Sequence, residues 1–259
     1  MIERLLSVPL WAVNIVIVLI WLPVTALVFA VTAPFDAGRY AAGWWFRRAA
    51  KVSIALNPLW DFRTSGVRIT DPRRPYVAVA NHESIADIFL ISLLPWEMKW
   101  LSKQSIFRLP VMGWMMRMAG DIEVRRNDSR SRARAAAAIR DRLAKRVTVM
   151  VMPEGTRSRT DELLPFRDGA FVIAIETGSP ILPIAVVGTR DAMRAGSLRF
   201  QRARAVCRVL EPIETARMTP AQVAELRDEV RSRIARAREQ IRAELRTERS
   251  SRGRAPSVR

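Results

Sequence analysis

The sequence predicts an α/β fold: a central, largely parallel or mixed sheet flanked by helices, preceded by a hydrophobic membrane-attachment helix or helical hairpin. Three observations carry this. The runs 76–80 (YVAVA), 147–152 (VTVMVM) and 181–187 (ILPIAVV) are short, apolar and rich in β-branched residues, as strands buried on both faces are. Patterns of helical period separate them, over 85–94, 111–118, 129–145 and 169–176, and such alternation builds α/β sheets. From Leu5 to Phe35 no residue is charged, and about 20 apolar helical residues suffice to cross a bilayer core.

The apolar segment is expected to be retained. A cleavable leader is shorter, ends in small residues and has a basic start, whereas here only Arg4 stands beside Glu3. Pro23 lies near its middle. A proline removes one backbone hydrogen bond and kinks a helix, which spanning helices tolerate. One kinked spanning helix and two short helices dipping into a single leaflet both stay open, and the central proline favours the hairpin. The flank that follows carries Arg39, Arg47, Arg48 and Lys51, which by the positive-inside rule belongs on the cytoplasmic side of an inner membrane.

The expected organisation is a membrane-attachment segment over 1–50, an α/β domain over 51–215, a basic helix over 216–249 and a disordered tail over 250–259. Thr219, Pro220 and Gln222 supply an N-cap, a first-turn proline and the closing residue of a capping box. The Arg-rich outer face of that last helix can meet anionic lipid or simply be solvated.

Lys and Arg together number 43 against 25 Asp and Glu, a net charge of +18. This points to an anionic partner: nucleic acid, acidic headgroups or a phosphorylated substrate. Cys207 is the only cysteine and His82 the only histidine. Intramolecular disulfides, cysteine metal sites and multi-histidine metal sites are therefore excluded, no cofactor is expected, and any imidazole chemistry falls to His82.

His82 follows the first buried strand, in Asn81-His82-Glu83-Ser84-Ile85-Ala86-Asp87. Functional loops in α/β domains sit where a strand ends and a helix begins. On a continuous helix Asp87 would point about 140° away from His82, so a contact requires His82 on the turn ahead of the helix, with Ser84 as N-cap and Asp87 at N3. Asp87 then either orients the imidazole or serves only as a capping carboxylate. A second strand runs into Pro153-Glu154-Gly155-Thr156-Arg157, where Gly155 permits close backbone approach and Thr156 and Arg157 offer donors suited to phosphate.

Together these elements resemble the PlsC-like glycerolipid acyltransferase family (glycerol-3-phosphate and lysophosphatidate acyltransferases). Its Asn-His-four residues-Asp motif matches Asn81, His82 and Asp87, and its Pro-Glu-Gly-Thr-Arg motif matches Pro153 to Arg157 in full. A Gly-x-x-Phe-Ile-x-Arg motif is met by Gly120 to Arg126, with Glu123 in place of the aromatic, and a Pro-x-x-Pro strand by Pro180 to Pro183. The resemblance covers about residues 76–187. It implies transfer of an acyl group from acyl-CoA or acyl carrier protein to the sn-2 hydroxyl of lysophosphatidic acid, with another lysolipid such as lyso-ornithine lipid as the alternative acceptor. His82 is then the general base and Asp87 its partner. Arg126, Thr156, Arg157 and Lys103 serve the substrate with Gly155, and Glu154 in the same loop fixes it rather than touching an anion. The stretch Phe166 to Gly169 looks like a further basic position near the groove. The partners implied are the acyl donor, a lysophospholipid and an anionic membrane surface.

Two rival readings follow from the same residues. A hydrolase using Ser84 lacks a Gly-x-Ser-x-Gly elbow. A membrane-anchored nucleic-acid binder has the charge but no recognisable binding module, so no nucleic acid is expected as a partner.

Overall fold

The computed structural model describes residues 2–194 and 196–253. The chain runs through α1 (Ile2–Thr32), α2 (Tyr40–Ala55), β1 (Trp60–Gly66), β2 (Val77–Ala80), α3 (Ala86–Ile91), β3 (Met98–Lys103), α4 (Gln104–Phe107), α5 (Met112–Ala119), β4 (Ile122–Val124), α6 (Ser129–Ala144), β5 (Thr148–Val151), α7 (Gly169–Thr177), β6 (Ile181–Val187), α8 (Thr189–Ala192), β7 (Ala203–Val209), a 3₁₀ turn (Pro220–Gln222) and α9 (Val223–Gly253). The seven strands form one mixed sheet in the order β1-β7-β6-β2-β5-β3-β4. The five strands from β6 to β4 run parallel, and β7 joins β6 antiparallel with β1 parallel to it.

Alternation along each strand divides the core. Val77, Val79, Val149 and Val151 pack with α6, α7 and α9 on one face. Ala78, Ala80, Met150 and Leu182 pack with Leu90 and Ile91 of α3 on the other. Small side chains on β2 let α3 lie close to the sheet. Pro183 sits in a central strand without breaking it: its carbonyl accepts from Leu210 N–H at 2.9 Å, just past the end of the β6–β7 ladder.

The apolar segment is one helix, not a hairpin broken at Pro23. Pro9 and Pro23 both lie inside α1, because each removes a single backbone bond and tertiary contacts hold the helix on either side. Trp21 stacks on Trp45 of α2 with ring centroids 5.4 Å apart, and its Nε1 donates to Trp45 O at 3.1 Å. The stretch Leu5–Thr32 is long and apolar enough to cross a membrane, with mean hydropathy 2.7. Leu5, Val8, Ile15, Val16, Leu19, Ile20, Leu27 and Val31 are exposed along it, whereas Leu10 and Ile17 are buried. The chain reverses after α1 and returns as α2, which continues beyond residue 50 with Ala42, Phe46 and Ala49 buried. A boundary at 50 thus cuts a helix that belongs to both parts. The basic flank is partly spent internally: Arg47 pairs with Asp121, and Arg39 lies over Phe29.

Under α2 the sheet carries a buried ion pair. Lys99 Nζ donates to Glu97 Oε1 at 2.9 Å and to Arg39 O at 2.7 Å, and both side chains are fully buried. The head groups occupy the space where a Cβ on residue 43 would stand, so Gly43 is what lets α2 close over them.

The capping box of Thr219 and Gln222 is present, but its first turn is 3₁₀. Helix α9 runs to Gly253, so residues 250–253 are helical rather than part of a disordered tail. Residues 254–259 lie outside the described residues.

Candidate active site

The parallel strands deliver their carboxyl ends to one edge, and the motif residues gather there. His82 lies on the loop after β2, and its Nδ1 is 2.7 Å from Asp87 Oδ2. The same Asp87 oxygen accepts from Glu83 N–H at 2.8 Å and Ser84 N–H at 3.1 Å, while Oδ1 accepts from the Thr189 hydroxyl. Asp87 is therefore both the imidazole's partner and the residue that closes the turn. A carboxylate accepts only, so the Nδ1 facing it carries the proton and Nε2 is left as the basic nitrogen. Among the described residues nothing is bonded to Nε2, and the side chain is 15% exposed against 0% for Asp87.

The regular turns of α3 begin at Ala86, with Ile85 ahead of them, but the capping bonds are those the sequence predicts: Asp87 accepts from Ser84 N–H, and the Ser84 hydroxyl caps in return. It donates to Met193 O at 2.6 Å and accepts from Ala86 N–H at 3.1 Å. Fully buried and doubly bonded, Ser84 is no nucleophile, which removes the hydrolase reading. Cys207 is likewise buried in β7, and burial pushes its thiol far above the usual range, as suits a small core residue.

Three further links hold the backbone around His82. Asn81 bridges to β6, donating to Val186 O at 2.9 Å and accepting from Val186 N–H at 2.8 Å. Glu154 accepts from His82 N–H at 2.7 Å and from Leu164 N–H at 3.0 Å. Both its carboxylate oxygens are thereby used on backbone, and burial raises its carboxyl above the usual range. Ser158 N–H completes the join, donating to His82 O at 2.8 Å.

The basic candidates fall around this edge. Gly155 has φ +70°, and its open side faces the guanidinium of Arg167, so a side chain there would both strain the turn and displace that Arg. Thr156 and Arg157 are exposed in the same turn, and Lys103 is exposed at the end of β3. Arg126, half-buried after β4, has its acidity raised first by burial and then by the like charge of Arg167. No carboxylate pairs with Arg126 or Arg167 among the described residues. Two guanidiniums within each other's field and without a carboxylate partner attract an anion. Glu123, in place of the family's aromatic, is hydrogen-bonded to Gln104.

Three partners of this site were not singled out from the sequence: Thr189, Glu83 and Arg238. Thr189 was findable, because it follows Gly188 at the end of a buried strand adjacent to β2. Arg238 was not, being one of 39 arginines on a helix far along the chain.

The Acyltransferase family model matches residues 62–187. The chain is 38% identical over 146 residues to the chloroplastic 1-acyl-sn-glycerol-3-phosphate acyltransferase BAT2 of Brassica napus, covering 56% of this chain and 42% of that protein. It is 30% identical over 186 residues to the human 1-acyl-sn-glycerol-3-phosphate acyltransferase beta, covering 71% of this chain and 66% of that protein. Measured against the chloroplastic relatives, the chain spans about two fifths of their length. The crystal structure of the LPA acyltransferase PlsC from Thermotoga maritima shares the fold, with TM-score 0.67 and 23% identity over 90% of this chain and 98% of that one. The two motif loops, the strand order that brings them together and these likenesses lead to one assignment: the chain belongs to the PlsC-like glycerolipid acyltransferases.

Proposed function

We propose that this protein transfers a fatty acyl group from a thioester donor, acyl-CoA or acyl carrier protein, to the sn-2 hydroxyl of lysophosphatidic acid. The observation that carries the reading is the Asp87–His82 pair, with Nδ1 engaged and Nε2 free at the edge where five parallel strands end. Nε2 takes the acceptor's hydroxyl proton as that oxygen attacks the thioester carbonyl. The new ester C–O bond forms, the C–S bond breaks, and the imidazolium returns its proton to the departing sulfur. Asp87 stabilises the imidazolium in between. The acceptor is itself the nucleophile, so no acyl-enzyme is required.

Arg126, with Arg157, Thr156 and Lys103 around it, binds the acceptor phosphate in this scheme. Arg167 joins them, supported by its place over Gly155 and by its like charge acting on Arg126. Purified protein given labelled oleoyl-CoA and lysophosphatidate is expected to yield labelled phosphatidate; hydrolysis alone, or no turnover, overturns the reading. Replacing Arg126 with Ala removes a charged hydrogen bond worth about 1.5–3 kcal/mol, or roughly ten- to a hundredfold in kcat/KM. The loss should be much smaller with a monoacylglycerol acceptor, which has no phosphate. An equal loss with both acceptors assigns Arg126 to the fold or the donor instead.

The site of action in this reading is the cytoplasmic face of an inner membrane, with α1 as anchor. Its exposed residues Ile15 and Leu19 lie on one face, four positions apart. The Ile15→Lys/Leu19→Lys variant should lose most of the vesicle binding that survives high salt, retaining only a salt-sensitive part through the basic surface. Unchanged flotation at high salt would place the main lipid contact elsewhere.

A further inference from the structure

Helix α9 lies wholly outside the family-matched segment, yet it reaches the site. Arg231, Arg238 and Arg242 fall within about 40° of one another at 3.6 residues per turn, and this stripe faces inward rather than toward lipid. Arg231 donates to Leu163 O at 2.8 Å, and Arg238 and Arg242 each donate to Asp161 O at 3.0 Å. The helix thus clasps the 161–163 loop, just ahead of Leu164, whose N–H holds Glu154. Arg238 goes further. It is only 3% exposed, and its Nη2 also donates to Glu83 Oε1 at 2.8 Å. The other Glu83 oxygen accepts from Gly188 N–H at 3.3 Å, beside the Thr189 that bonds Asp87.

We propose that Arg238 is a positioning residue for the reaction: through Glu83 it fixes the turn that carries His82 and neutralises a second carboxylate buried beside the His82–Asp87 pair. The inference rests on His82 acting as base. The charged groups around Glu83 are Asp87 on α3, Arg190 on α8 and Arg238 on α9; Glu154, after β5, lies within the field of Arg238 and His82. Burial holds the Glu83 carboxyl above its usual range, the charge of Asp87 adds to this, and Arg238 opposes both. Without Arg238, any charge Glu83 retains acts on the imidazole with only the smaller influence of Arg190 against it.

The test is kcat and KM against pH for wild type, Arg238→Met, Glu83→Gln and the double variant. Arg238→Met should lower kcat about tenfold through misplacement of the base, with KM little changed. Its acid limb should move to higher pH, since losing a nearby positive charge favours the imidazolium. Glu83→Gln should move the limb to lower pH, because Arg238 is then uncompensated. The double variant should return the limb toward wild type, because both charges are gone, while kcat stays about tenfold low, because the tether that fixes the turn stays broken. Acid limbs that stay fixed in both single variants overturn the proposal and leave Arg238 a purely structural residue. If Arg238→Met does not fold, the direction of the Glu83→Gln shift decides alone. A failure of the general-base reading looks different: His82→Ala would then retain turnover whatever Arg238 does.

Discussion

His82→Ala is expected to lower acyl transfer by about 10²–10⁴, the usual contribution of a positioned acid–base group, with the fold intact. The magnitude follows from the geometry. Nothing in the chain can stand in, since no second histidine exists and the nearby carboxylates Glu83 and Glu154 are committed to Arg238 and to backbone amides. Removing the ring also leaves Asp87 with its Glu83, Ser84 and Thr189 donors, so the turn survives the change. Asp87→Asn should be severely impaired for a different reason. An amide nitrogen placed at Oδ2 would face three donors, and an amide oxygen there still cannot stabilise an imidazolium as a carboxylate does. Steady-state turnover alongside an unfolding curve checks both. Near-wild-type turnover in His82→Ala ends the general-base mechanism.

The second large effect is on stability. Lys99→Met should destabilise the fold by about 3–5 kcal/mol, the cost of stripping one partner from a buried ion pair. Glu97 is left enclosed under α2, with Arg47 the remaining cation that acts on it. Burial already pushes the Glu97 carboxyl upward and the Lys99 ammonium downward, their mutual attraction opposing both shifts. Without Lys99 the Glu97 value rises further. A carboxyl raised in the folded state contributes stability that is present below its unfolded value and lost as pH climbs through the folded one. The deficit of Lys99→Met should therefore be largest near neutral pH and shrink toward acid pH, and adding Glu97→Gln should relieve much of it at neutrality. Denaturant midpoints at two pH values distinguish this from simple loss of packing, which has no such dependence.

The parts of the fold legible in the sequence were those with an unmixed period. β2, β5 and β6 are buried on both faces and read as continuous apolar runs. Edge strand β1 was missed because its burial fades to exposed residues from Arg63 onward, and WDFRTSG has no clear alternation. Strand β3 was missed because Lys99 breaks the apolar run with a charge that only its partner Glu97 makes tolerable. In β7 the alternating burial puts Arg204 and Arg208 on the outer positions, where they reach Asp61 and Glu244 of α9, and apolar Val206 on the same face hides that alternation in the sequence. At the site, local motifs were readable because His82 and Asp87 are five residues apart on one turn. Contacts that depend on strand order, such as Asn81 to Val186 and Glu83 to Arg238, separate residues by more than a hundred positions. No local pattern records them. The hairpin expected at Pro23 failed because the packing of Trp21 on Trp45 outweighs one missing backbone bond.

The engaged Nδ1 of His82 has a practical side. With one imidazole in the whole chain, every histidine resonance in a nuclear magnetic resonance spectrum belongs to the site, with no assignment step. The Nδ1 proton shared with Asp87 is shielded from exchange by a partner with no solvent exposure, which favours its observation as a single downfield line. Protonation, donor docking and acceptor docking each alter the electron density of that one ring. The molecule thus carries its own reporter, placed at the reacting atoms and free of background.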